Sequence, residues 1–183
     1  MAEPASDPLL KTPLHAAHAA LGARMVPFAG YDMPVQYATG ILTEHLWTRD
    51  KAGLFDVSHM GQAELIGPDH ATTARALEAL VPADILNLKP GRQRYSQFLA
   101  EDGGILDDLM IARPADPAED GRLLLIVNAG TKEADYAHIA AHLPPEVRLA
   151  RLKAQHAALD EKIGALEREE GQQTYRERRA RRK

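Results

Sequence analysis

Tyr95-Ser-Gln-Phe-Leu99, Ala100-Glu-Asp-Gly-Gly104 and Ile105-Leu-Asp-Asp-Leu-Met-Ile111 form the stretch that decides the fold class. Two apolar runs around a Gly-Gly loop predict a β-hairpin. Downstream, Leu123 to Val127 reads as a further strand, and Thr131 to His142 as a helix that Pro144-Pro145 terminates. Upstream, Asp69 to Leu80 reads as a helix opened by Gly67-Pro68 and closed by Pro82. Short strands are expected at Leu54 to Val57 and Gln62 to Ile66, flanking Ser58-His59-Met60-Gly61. A helix is expected from Ile41 to Ala52 with Gly53 as its C-cap. The stretch Met25 to Tyr37 alternates apolar and polar residues but holds Pro27 and Pro34, so it reads as edge strands and turns. Thr12-Pro13 reads as an N-cap with proline at the first helical position, opening a helix from Leu14 to Leu21 that Gly22 stops. Helices and strands alternate without a β-α-β rhythm, which favours a mixed α+β fold over a doubly wound sheet.

Composition sets the outer bounds. The chain has 183 residues, 45% of them hydrophobic, enough for a core and against general disorder. It has no cysteine, which removes disulfides, thiolate chemistry and Cys-based zinc sites together. No apolar run is long enough for a membrane span. MAEPASDPLL at the start lacks a basic or Arg-rich leader, so a cytoplasmic location is expected. Net charge is -4, unevenly placed. Residues 151–183 hold 10 Lys+Arg against 6 Asp+Glu, whereas the remaining 150 hold 12 against 20. An acidic body is thus followed by a basic tail. Nucleic acid is not an expected partner, because a short basic terminus is a weak motif.

Asp107 and Asp108 are the first candidates for chemistry. Neighbours on a strand point to opposite faces, so the two carboxylates are not expected to share a pocket. Asp107 would stand with Ile105, Leu109 and Ile111, and Asp108 with Leu106 and Met110. Either acid then needs a donor or ligand among apolar neighbours. The alternative is a strand-end acid that reaches solvent or caps a turn; spacing cannot choose between the two acids. Asp56-Val-Ser-His59 does not amount to a triad; Asp56 and Ser58 are expected to tie down a turn with their own backbone. His15/His18 and His138/His142 have helical spacing but no third ligand, so no metal site is expected. Neither a P-loop nor a G-x-G-x-x-G stretch is present.

Several motifs occur in a telling order: Gly22-Ala-Arg-Met25, Phe28-Ala-Gly-Tyr-Asp-Met-Pro34, Gly53-Leu-Phe-Asp-Val-Ser-His-Met60, Gly103-Gly-Ile-Leu-Asp-Asp-Leu109 and Val127-Asn128-Ala129. Over Thr12 to Leu149 the chain resembles the N-terminal part of aminomethyltransferase, the T protein of the glycine cleavage system. The resemblance implies the N-terminal lobe of that folate-binding fold, a mixed antiparallel sheet with helices. It also implies a reaction: the one-carbon unit of the aminomethyl-lipoyl arm of the H protein passes to tetrahydrofolate, and ammonia leaves. By the same resemblance Asp107 is the essential acid at the pterin end of the folate, while Asn128, Tyr95 and Met60 bind or line that site. The choice of Asp107 over Asp108 comes from the resemblance.

The division expected is a flexible N-terminus at 1–11, a T-protein-like lobe at 12–149 and a helical tail with a basic end at 150–183. Leu152, His156, Leu159, Ile163 and Leu166 fall at steps of four and three, the seam of an amphipathic helix. The family's chain is longer, and its later part contributes further folate contacts, so a truncated form with doubtful activity of its own is expected. Two readings compete with it. One is a non-catalytic lobe whose helix, through 150–166, serves self-association or partner docking. The other is a folate-dependent relative using another one-carbon donor.

Overall fold

A computed structural model describes residues 8–152 of the chain. The first helix, α1 (His15–Ala20), starts later than expected, with Leu14 at its N-cap. Thr12 does not cap it: the Thr12 hydroxyl donates instead to Asp56, 44 residues away. Strands β1 (Arg24–Phe28) and β2 (Tyr31–Gln36) form an antiparallel two-stranded sheet of their own, joined through Ala29-Gly30. Both prolines are accommodated because a two-stranded ribbon has no central strand.

Helix α2 (Ile41–Asp50) has Lys51, not Gly53, as its C-cap. Gly53 is needed for space: a Cβ there would stand 2.7 Å from the Thr48 hydroxyl and 2.8 Å from the Phe55 ring. The strand expected over Leu54 to Val57 does not form. Leu54 is 99% exposed, and with no neighbouring strand to satisfy its backbone the segment stays irregular.

The main sheet is built from β3 (Gly61–Ile66), β4 (Gln93–Leu99), β5 (Ile105–Ala112), β6 (Arg122–Val127) and β7 (Arg148–Arg151), in the order β4-β5-β6-β3-β7. Every pairing is antiparallel. Helix α3 (His70–Glu78) lies between β3 and β4 in the chain, and α4 (Lys132–His142) between β6 and β7. The mixed α+β expectation and the Gly103-Gly104 hairpin are both realised. Strand β7 was not anticipated; its four residues, running into the segment read as tail, are too few for a periodic signal.

Burial alternates along β3 and β6, so one face of the sheet is covered and the other half open. Leu65, Leu109, Leu125 and Phe98 on the covered face meet Leu77 of α3 and Ile139 of α4 in a single apolar core. Most of the amphipathic seam at 152–166 lies outside the described residues. No helix among the described residues is long and apolar enough to cross a membrane.

Candidate functional site

The hairpin and the end of β6 meet at one cluster. In the β4–β5 pairing Phe98 faces Asp107 and Gln97 faces Asp108, with a register shift beyond Phe98. Asp107 therefore shares the covered face with buried Phe98, Leu109 and Ile111, as its alternation requires. Val127 is the last paired residue of β6, opposite Leu109. Asn128 consequently stands just past the ladder, within reach of both acids.

Its amide Nδ2 donates to Asp107 Oδ1 at 2.9 Å and also to Asp108 Oδ1. The two acids, not expected to share a pocket, do share this one donor. Strand alternation does send them to opposite faces, but a side chain at the strand end bridges both. The Asp107 Oδ1 also accepts from the Asp108 N–H at 2.8 Å, and Oδ2 accepts from the Thr131 hydroxyl. Thr131 is the N-cap of α4, so the carboxylate sits over the positive end of that helix. Burial would raise the Asp107 carboxyl; the donors Thr131, Asn128 and the Asp108 N–H outweigh it and hold the group below the usual carboxylate range. Asp107 is an anion at neutral pH.

Tyr95 stands on the open face and donates its phenol to Asp108 Oδ2, a bond that raises the phenol above its ordinary value. Among the described residues the Asn128 Oδ1 has no hydrogen bond, so an acceptor remains beside Asp107. Met60 lies elsewhere: it lines a hollow of about 490 Å³ with Tyr31, Gln62, Lys132, Tyr136 and Arg151. Lys132 and Tyr136 of that hollow are the chain neighbours of Thr131 and Asp135, so the two places share the first turn of α4. Three of the four candidates, Asp107, Asn128 and Tyr95, belong to one hydrogen-bonded cluster through Asp108.

The cluster also contains residues that sequence reading missed. Thr131 appeared only as a helix start, and Asp135 not at all. Both were accessible as a pattern, because a hydroxyl at the helix start and an acid four residues on lie on one helix face. Another hollow, about 580 Å³, is somewhere else, between the end of β2, α2 and Leu54-Phe55. Its lining is mainly apolar, with no group that touches Asp107.

Asp56 behaves as expected toward Ser58, accepting from the Ser58 N–H at 3.0 Å and from its hydroxyl. It also accepts from Thr12 at 2.8 Å and pairs with His18 Nε2 at 3.0 Å, while His18 Nδ1 meets the Tyr37 hydroxyl at 2.7 Å. This is a structural hub joining α1, β2 and the loop before β3. His15 pairs with Asp32 at 2.8 Å. No group of three potential metal-ligating side chains occurs among the described residues.

The sequence profile of the GCVT N-terminal domain matches residues 14–160. The chain belongs to the GCVT N-terminal domain family. Mitochondrial aminomethyltransferase of Dictyostelium discoideum is 46% identical over 134 residues, which cover 73% of this chain and 31% of that protein. Aminomethyltransferase of Synechococcus elongatus is 42% identical over 144 residues, covering 79% and 38% respectively. Among solved structures, the glycine cleavage system aminomethyltransferase T from Bartonella henselae superposes with a TM-score of 0.72 at 38% identity. That match covers 86% of this chain and 44% of the solved one. The chain therefore spans about a third of the length of the curated relatives it matches, and the cluster around Asp107 lies inside the matched domain.

Proposed function

We propose that this chain carries the acid-bearing lobe of an aminomethyltransferase of the glycine cleavage type. The reaction takes the aminomethyl group from the lipoyl arm of an H protein, hands its carbon to tetrahydrofolate and releases ammonia. Two C–N bonds to the folate replace the C–S bond and the C–N bond of the donor, with no change in oxidation level. The observation that carries the reading is Asp107, an ionised carboxylate held by Asn128 and Thr131 at the mouth of the covered face.

The residues suit a reduced pterin. Such a ring presents N–H donors along one edge, which Asp107 and the Asn128 carbonyl would accept. It also has a flat face, against which the Tyr95 ring, 56% exposed, would pack. Asp107 would orient the receiving nitrogen through its N–H and take no covalent part. Met60, in the adjoining hollow, is assigned to the wall of the same region. The lipoylated H protein is the partner this reading requires, and a cytoplasmic location accords with it.

Tetrahydrofolate at millimolar concentration is expected to raise the melting temperature of the chain, and Asp107→Asn to reduce that rise. Loss of a charge-assisted hydrogen bond of about 1.5–3 kcal/mol corresponds to a roughly tenfold or greater loss of affinity. No shift in the unsubstituted chain would overturn the reading. A second reading, a lobe that acts by association, is favoured by the exposed side chains of Leu46, Trp47, Leu54 and Phe55.

A further inference from the structure

Asp135 lies in the first turn of α4 and is only 4% exposed. Its backbone N–H continues the helix by bonding the Thr131 carbonyl at 3.0 Å. Its side-chain Oδ2 is buried with no partner among the described residues. A buried carboxylate oxygen without a donor is expensive, and a second carboxylate, Asp107, stands beside it. Thr131 sits between the two acids but has a single hydroxyl proton, already given to Asp107 Oδ2. The proton missing from this arrangement is one on Asp135 itself.

We infer that Asp135 is a positioning residue for Asp107: its buried carboxyl holds one proton in a hydrogen bond to that carboxylate, so that the two acids carry a single negative charge. This arrangement pins the Asp107 side chain from the helix side while Asn128 pins it from the sheet side. Up to the pair's midpoint it also spares the site a second anion where a neutral ring with N–H donors is to be held. The surroundings agree. Burial first, then the charge of Asp107, pushes Asp135 up to about 6. Asp108 on β5 adds a third acid to the neighbourhood. The nearby cations are engaged elsewhere: Lys132 Nζ donates to the Tyr31 hydroxyl and the His59 carbonyl, and Arg151 of β7 pairs with Glu133. His138, one turn further along α4, packs on Phe98 and is lowered by burial, so it adds no positive charge near neutral pH. From the sheet, Phe98 of β4 stands opposite Asp107 and Asn128 follows the end of β6, and both are neutral.

The shared proton rests on the burial of Asp135, its unpartnered oxygen and its place beside Asp107, whereas its use in transfer rests on the pterin reading proposed above. The test separates them. In the full chain with ¹³C-carboxyl-labelled aspartate, one resonance is expected to titrate near about pH 6 and to vanish in Asp135→Asn. In Asp107→Asn the same resonance is expected to move back toward the ordinary carboxylate range of roughly 4. An Asp135 resonance that titrates in the ordinary range in the unsubstituted chain would overturn the inference, as would one indifferent to Asp107→Asn, even if Asp135→Asn failed to fold.

In a second arm, tetrahydrofolate affinity is measured against pH. The unsubstituted chain is expected to lose up to about tenfold per pH unit above the pair's midpoint, and Asp135→Asn, a permanent donor, to abolish that slope. Equal slopes in the two proteins would remove the positioning role. If folate binds neither, the pterin reading fails while the carboxyl titration still decides the pair.

Discussion

Asp56 and Asp135 are both buried acids, yet their surroundings push them in opposite directions. Burial would raise Asp56, but Ser58, His18 and Thr12 outweigh it and hold the group at about 2. Its folded value lies below the unfolded one, so its contribution to stability is present above about pH 4 and is lost as pH falls toward about 2. Urea midpoints measured through that acid range are expected to fall in the unsubstituted chain and to fall less in Asp56→Asn. At neutral pH, Asp56→Ala is expected to cost about 3 kcal/mol, since it strands the Thr12, Ser58 and His18 groups. For Asp135 the sign reverses. Its folded value lies above the unfolded one, so the native state binds more protons and stability declines as pH rises from about 4 through about 6. Asp135→Asn removes that decline, which the same urea midpoints above about pH 6 would register as a gain. Neither sign could be read from spacing. Asp56 and Ser58 are two apart in sequence, but Thr12 and His18 arrive only through the fold, and so does the proximity of Asp107 to Asp135.

Local signals predicted most elements and misjudged those that depend on neighbours. The Gly103-Gly104 loop marks its hairpin because the turn and both flanking runs are contiguous. Leu54 to Val57 has the composition of a strand but no strand to pair with, whereas Arg148–Arg151 has little strand character and pairs with β3 because that edge is vacant. Turns show the same division. Gly103 and Gly121 both lie at positive φ, +83° and +87°. Around Gly103 a Cβ would meet open space, so Gly103→Ala is expected to cost only about 1 kcal/mol of backbone strain. At Gly121 a Cβ would stand 2.5 Å from the Gly67 carbonyl oxygen, in the turn that ties the start of β6 to α3. The Gly121 carbonyl there accepts from the Gly67 N–H and the Thr73 hydroxyl. Gly121→Ala is expected to cost about 3 kcal/mol or more, and chemical denaturation of the two variants side by side would show the difference.

Across the whole molecule, the covered sheet face forms the core while α2 and Leu54-Phe55 leave apolar side chains in water. Trp47 is 62% exposed and Leu46 57%. Such a surface promotes association. Sedimentation is expected to show concentration-dependent species that Leu46→Gln with Trp47→Lys diminishes, with the melting temperature little changed because neither side chain is in the core. A monomer at every concentration would exclude this. By itself, the sequence determined the α+β class, the hairpin bearing Asp107 and the family resemblance, since each rests on contiguous residues: periodicity, a Gly-Gly loop, ordered motifs. Only the tertiary structure decided that Asn128 joins both acids, that Thr131 and Asp135 complete the cluster, and that Met60 lies in the next hollow. Those facts depend on where β6 ends relative to β5 and on the packing of α4 against the sheet. Such contacts join residues twenty or more apart in the chain, a distance at which local pattern carries no geometry.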